Sequence, residues 1–206
     1  MNGDFETLRR NTAWVDPAVQ LWNRSLHENL RYGNSSEDSG IPLKDVVEDA
    51  DLRMVLERLP NGLESPLGEG GVLVSGGEGQ RIRLGRSMLR PGVRLVILDE
   101  AFRGLDWNQR HDLLARARNM WRDTTLFYIT HDVASTSSFD RVLILEAGRI
   151  VEDGMPAKLA KRSDSRYRAL LDAETAARNL LWSNDAWQRL RLENGRVVAD
   201  GRSGDS

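Results

Sequence analysis

The chain has 206 residues, 40% of them hydrophobic, with 29 Lys and Arg against 31 Asp and Glu for a net charge of -2, and no cysteine. That length suits a domain with a real core, while the lack of cysteine excludes a disulfide-stapled secreted fold and the charge gives no case for a general nucleic-acid binder. No apolar run approaches the ~20 residues that span a bilayer and the N-terminus is too polar for a signal peptide, so the expectation is a soluble intracellular domain that meets a membrane only through a partner.

In chain order, Ile41 to Leu59, with its acids and periodic Val and Leu, reads as helices. Pro60-Asn61-Gly62 and Gly68 to Gly71 read as loops. Glu78 to Arg90 is helical in composition and is opened by Ser75-Gly76-Gly77. Leu95-Val96-Ile97-Leu98 is a short apolar run that ends directly in Asp99-Glu100, the pattern of a buried parallel strand delivering side chains to the C-terminal edge of a sheet. Trp107 to Trp121 is an amphipathic helix, and Thr124 to Ile129, rich in β-branched and aromatic residues, a second buried strand; together they make a βαβ unit and argue for a parallel sheet. Arg141 to Leu145 and Arg149 to Glu152 pair as a hairpin through Ala147-Gly148. Asp164 to Leu181 is helical, and Leu190 to Val198 is a hairpin on Asn194-Gly195, with Trp182 and Trp187 placed to dock this appendage and 202–206 a frayed end.

Three clusters carry chemistry. At Ser75-Gly76-Gly77 the missing side chains let backbone N–H groups approach an anion at the positive end of the helix dipole; a glycine-rich turn capped by Ser75 is the plainer alternative. Asp99 suits Mg²⁺, usually through water, and Glu100 an attacking water, unless the pair simply caps a helix and supplies its first-turn acid. His131 follows the second strand at the same sheet edge, either facing the site of Glu100 or bonded to backbone, whereas His27 and His111 read as ordinary helix or surface residues. An anion cradle beside a metal and water site suits nucleotide hydrolysis.

The order and spacing of these pieces resemble the ATP-binding cassette (ABC) ATPases of the exporter type. Val74 to Glu78 with Gln80-Arg81-Ile82 is similar to the signature, with Glu78 where the family usually has Gln; Leu95 to Glu100 resembles Walker B, Arg103 to Asp106 the D-loop, and His131 the switch histidine. Phe5 to Arg10 resembles the stretch before the Q-loop strand, Trp14 to Pro17 and Leu21 to Gly33 the segment after it, and Phe139 to Gly154 the closing hairpin, so the resemblance covers roughly residues 8 to 160.

The resemblance implies an α/β, P-loop NTPase-like cassette over 1–160, with a helical signature subdomain at about 34–90 and a C-terminal helix-plus-hairpin extension over 161–206. It implies ATP and Mg²⁺ as ligands, Glu100 as general base, Asp99 as the magnesium-side carboxylate, His131 as γ-phosphate sensor and Asp106 as a dimer-interface residue. Ser75, Gly76, Gly77 and Glu78 would meet ATP held mainly by a second cassette, in a homo- or heterodimer, and the assembly would sit at the cytoplasmic face of the plasma membrane on the transmembrane domain of an exporter. Two departures matter. No Gly-x-x-x-x-Gly-Lys-Ser/Thr occurs, so the Walker A loop is absent from the sequence, and Pro17 stands at the Q-loop glutamine, with Gln20 three residues on. The expectation is the last two thirds of a cassette, its Walker A strand upstream of Met1, unable to hydrolyse ATP alone. Two function classes follow: an energy-coupling ATPase subunit, or a non-hydrolysing module lending its signature face to a complete cassette. Chromosome-maintenance ATPases share such signatures but insert long coiled coils, and no heptad run is present.

Overall fold

The computed structural model describes residues 2–34, 40–183, 190–193 and 196–199, with side chains between Phe5 and Leu180. Its contacts divide the chain into one unit, 1–131, and a second, 132–206.

In the first unit α1 (Asn2–Arg10) leads into β1 (Thr12–Val15), and α2 (Leu26–Arg31), α3 (Leu43–Asp49), α4 (Arg53–Arg58) and α5 (Gly76–Met88) follow before β2 (Leu95–Asp99), α6 (Trp107–Met120) and β3 (Thr125–Ile129). The strands form one sheet in the order β1-β2-β3, both pairs parallel. The predicted βαβ unit is therefore present. Parallel register places Ala13, Val96 and Leu126 in one row and Trp14, Ile97 and Phe127 in the next, so alternate rows face opposite ways. On one face Ala13, Val15, Val96 and Leu98 are fully buried. On the other, Trp14 is 55%, Phe127 50% and Ile129 49% exposed, an apolar surface that β-propensity alone predicts to be covered.

The helical layer closes on α5. A Cβ at Gly85 would meet Leu30 at 3.0 Å, Leu52 at 3.2 Å and Val46 at 3.3 Å, so the absence of a side chain lets three segments approach one point. Arginines of α5 are turned inward: Arg81 lies 2.8 Å from the Asp51 carboxylate, and Arg86 Nε donates to the Asn29 carbonyl at 2.7 Å while its guanidinium lies 5.3 Å from the centre of the Tyr32 ring. Burial, with Arg83 nearby, lowers the Arg86 pKa to about 10.

In the second unit β4 (Val142–Glu146) and β5 (Arg149–Gly154) form the predicted antiparallel hairpin, turned by Ala147 and Gly148, both at positive φ (48° and 75°), as a two-residue loop matched to strand twist requires. α7 (Pro156–Leu159) and α8 (Arg166–Ser183) follow, and Val142, Leu159 and Tyr167 make the local core. The Glu152 carboxylate accepts from Ser165 Oγ at 3.0 Å and from the Tyr167 N–H at 2.8 Å, fixing the start of α8. β6 (Leu190–Glu193) and β7 (Arg196–Ala199) pair antiparallel as predicted. The Asn194-Gly195 turn, Trp187, the Trp182 side chain and 202–206 lie outside the described residues.

Candidate functional site

The C-terminal edge of the parallel sheet brings Glu100 and His131 together. β2 ends at Asp99, the Glu100 N–H donates to the Ile129 carbonyl at 3.0 Å, and the chain turns at once, with Glu100 at φ 45°. A left-handed φ is uncommon outside glycine and persists where neighbours fix it, often at functional positions. Here the carboxylate is the fixing group: it accepts the His131 N–H at 3.1 Å and lies 2.9 Å from His131 Nδ1. No helix starts at Asp99-Glu100, so the capping alternative for that pair is not realised, and the His131 ring meets a carboxylate rather than backbone. The His131 ring is 75% exposed, open to a ligand, while the Glu100 side chain is 28% exposed.

Asp99 shares its row with Ile129, on the open face of the sheet, whereas Glu100 lies past the strand end at a left-handed φ, so strand alternation does not set its direction. Among the described residues no group of three or more His, Asp or Glu converges on a point. Asp99 therefore offers one carboxylate, which fits Mg²⁺ that takes its other ligands from water and phosphate oxygens.

Beside Glu100 a shallow, solvent-open cleft is lined by Arg103, Arg110, Tyr128, Thr130 and His131. Arg110 was not visible as a site residue in the sequence, because it lies one turn into α6, outside any motif. Asp106, in the segment that resembles the D-loop, caps α6 by accepting the Gln109 N–H at 2.9 Å.

Ser75 is the N-cap of α5 in a reciprocal capping box with Glu78: Ser75 Oγ accepts the Glu78 N–H at 3.3 Å and the Glu78 carboxylate accepts the Ser75 N–H at 2.7 Å. A second box, Ser25 with Glu28, opens α2, and there Ser25 Oγ also donates to the Glu28 carboxylate at 3.2 Å. The Ser75 hydroxyl likewise acts on the Glu78 carboxylate, whose pKa it helps to lower. A Cβ on Gly76 would meet nothing within 4 Å, so the backbone there is open to approach, whereas a Cβ on Gly77 would fall 2.7 Å from Leu105 Cδ2 and 3.5 Å from the Gly104 carbonyl oxygen. Gly77 thus also serves the packing of α5 on the turn before Asp106. No hydrogen bond or ion pair joins Ser75 to Glu78 with Glu100 or His131 among the described residues.

Burial raises the Glu78 pKa, but the Ser75 N–H, the Arg58 guanidinium and the Ser75 hydroxyl outweigh it, and the carboxyl titrates below its ordinary value. Arg58 Nη2 lies 2.6 Å from that carboxylate.

No protein-family model matches the chain. It is 32% identical over 163 residues to the ATP-dependent lipid A-core flippase of Nitrosococcus oceani, covering 79% of this chain and 27% of that protein. It is 30% identical over 163 residues to a putative export ATP-binding/permease protein of Rickettsia bellii, covering 79% of this chain and 28% of that one. Among solved structures it is similar to a bacterial Atm1-family ABC exporter with ATP bound, at 26% identity and a TM-score of 0.75, over 82% of this chain and 30% of the other. The chain spans little more than a quarter of the length of these curated relatives. With segments that resemble the signature, Walker B, D-loop and switch histidine in that order and a matching α/β fold, the chain belongs to the exporter-type ATP-binding cassette ATPases, and no Walker A sequence occurs within these 206 residues.

Proposed function

We propose that this chain is the signature- and Walker B-bearing part of an exporter ATPase, its cassette portion running to about residue 160, that acts on Mg-ATP cradled by a P-loop from outside these 206 residues. The observation that carries the reading is the Glu100–His131 pair at the sheet edge, a base held by both the N–H and the ring of the residue matching the switch histidine. In this role Glu100 takes the proton of the attacking water, and His131, whose ring is open to solvent, donates to the γ-phosphate. Asp99 would hold Mg²⁺ through water, and the ion would supply charge neutralisation at the phosphates. In trans, Ser75 Oγ–H and the N–H groups of Gly76 and Gly77 meet the γ-phosphate of a second cassette, with Asp106 at the dimer interface. The energy of closure passes to the transmembrane domain of an exporter, at the cytoplasmic face of the plasma membrane; among the described residues no helix is long and apolar enough to cross a membrane.

Association with a cassette that retains its P-loop tests the in-trans role. Gel filtration with Mg-ATP should show a complex for the wild type and none for Ser75→Arg, which places bulk and a misplaced guanidinium at the helix N-terminus. Equal association of the two forms contradicts it.

A further inference from the structure

α5 and α2 open with the same Ser-x-x-Glu box and an arginine meets the acid of each, but only in α5 does that arginine come from another helix and lie at short range. In the α2 box both Ser25 N–H and Ser25 Oγ–H donate to the same Glu28 oxygen, at 3.0 and 3.2 Å. In the α5 box the corresponding Glu78 oxygen accepts from Ser75 N–H at 2.7 Å and from Arg58 Nη2 at 2.6 Å, whereas Arg24 stands 3.5 Å from Glu28 in the α2 box. Arg58 reaches it from the end of α4, and its Nη2 also donates to the Leu73 carbonyl at 3.4 Å, so one guanidinium touches both the loop before α5 and the acid of its first turn. The Glu78 side chain is 13% exposed and that of Arg58 54%.

We propose that Arg58 is a positioning residue for the phosphate-facing end of α5: it ties the Glu78 carboxylate to the loop before α5 and neutralises a charge that otherwise stands where an anion must approach. Glu78 makes such a residue necessary. A neutral glutamine at this position accepts the Ser75 N–H equally well and brings no repulsion, whereas an unmasked carboxylate satisfies the helix dipole itself and competes with phosphate for it. The depressed Glu78 pKa means the charge is present at neutral pH, so compensation is needed under all ordinary conditions. This rests on the in-trans reading of Ser75 to Gly77.

The test is a double-mutant cycle on the full chain, Arg58→Ala in the wild-type and Glu78→Gln backgrounds, with Arg58→Lys as the conservative variant. Two quantities are read: the Mg-ATP concentration for half-maximal association with the P-loop-bearing cassette, and the Glu78 carboxyl titration followed by ¹³C NMR. Arg58→Ala should raise the Mg-ATP midpoint roughly two- to fivefold, the range of an ion pair near solvent, and move the Glu78 titration upward. The same substitution in the Glu78→Gln background should cost much less, and Arg58→Lys should recover most of the loss. An equal cost in both backgrounds overturns the proposal, since Arg58 would then touch phosphate itself or merely hold the fold. An unmoved Glu78 titration overturns it without reference to nucleotide. If the wild-type chain itself shows no response to Mg-ATP, the in-trans reading has failed and the proposal falls with it; if the wild type responds and the cycle shows no coupling, only the proposal fails.

Discussion

Gly76 and Gly77 are adjacent, yet they are glycine for different reasons. An added methyl at Gly76 meets nothing within 4 Å, while at Gly77 it falls 2.7 Å from Leu105 Cδ2. Gly76→Ala should therefore leave the melting of the isolated chain within about 0.5 kcal/mol of wild type and still weaken Mg-ATP-dependent association, because only the approaching phosphate meets the methyl. Gly77→Ala should cost about 1–2 kcal/mol in the chain alone, through displacement of Leu105, before any ligand is added. Chemical denaturation of the two variants beside an association assay separates these effects; a Gly76→Ala form that associates like wild type counts against phosphate approach at that amide. At this scale the sequence was partly legible. Residue type and position relative to a strand end were enough to place Glu100 and His131 at one site. The positive φ of Glu100 and the pairing of Arg58 with Glu78, 20 residues apart, follow from tertiary packing and leave no local pattern.

Elements were read well where a strand is short, apolar and bounded by charge, as in β2 and β3, or where a turn demands glycine, as at Ala147-Gly148. α1 was not read as a helix, since Asn2–Arg10 is strongly polar and shows no buried stripe. The Ser25-x-x-Glu28 box that opens α2 is a local pattern legible in the sequence. That box supplies a control for the signature. Ser25→Ala and Ser75→Ala should each cost about 1 kcal/mol of stability, the usual loss of a capping hydroxyl, but only Ser75→Ala should weaken association with a P-loop-bearing cassette. Parallel thermal melts and association measurements decide this, and an equal loss of association in both would mean that Ser75 acts only as a cap. The acid of the α5 box has a depressed pKa, so its contribution to stability is present above the ordinary glutamate value and is lost as pH falls through the lower folded one. Acid denaturation of Arg58→Ala should begin at higher pH than that of wild type.

For the whole molecule, the sheet is finished on one face and bare on the other. Trp14, Phe127 and Ile129 stay about half exposed, while the opposite side chains are buried on β1 and β2 and partly buried on β3, and among the described residues β1 and β3 each have one strand neighbour. An open apolar face with unpaired edges favours association, so the chain alone should bind a hydrophobic dye and self-associate, and Phe127→Ser should reduce both while weakening assembly with a P-loop segment. A monodisperse wild-type monomer that binds no dye contradicts this. The bare face was hidden in the sequence because its strands have the composition of fully buried ones. The central claim is that Glu100 serves ATP whose phosphates another segment cradles, and steady-state ATP turnover of the chain co-expressed with an exporter P-loop segment tests it most directly. Turnover should be at background for the chain alone, appear on co-expression, and fall by orders of magnitude with Glu100→Gln. Restored turnover that survives Glu100→Gln, or turnover by the chain alone that this substitution abolishes, contradicts it.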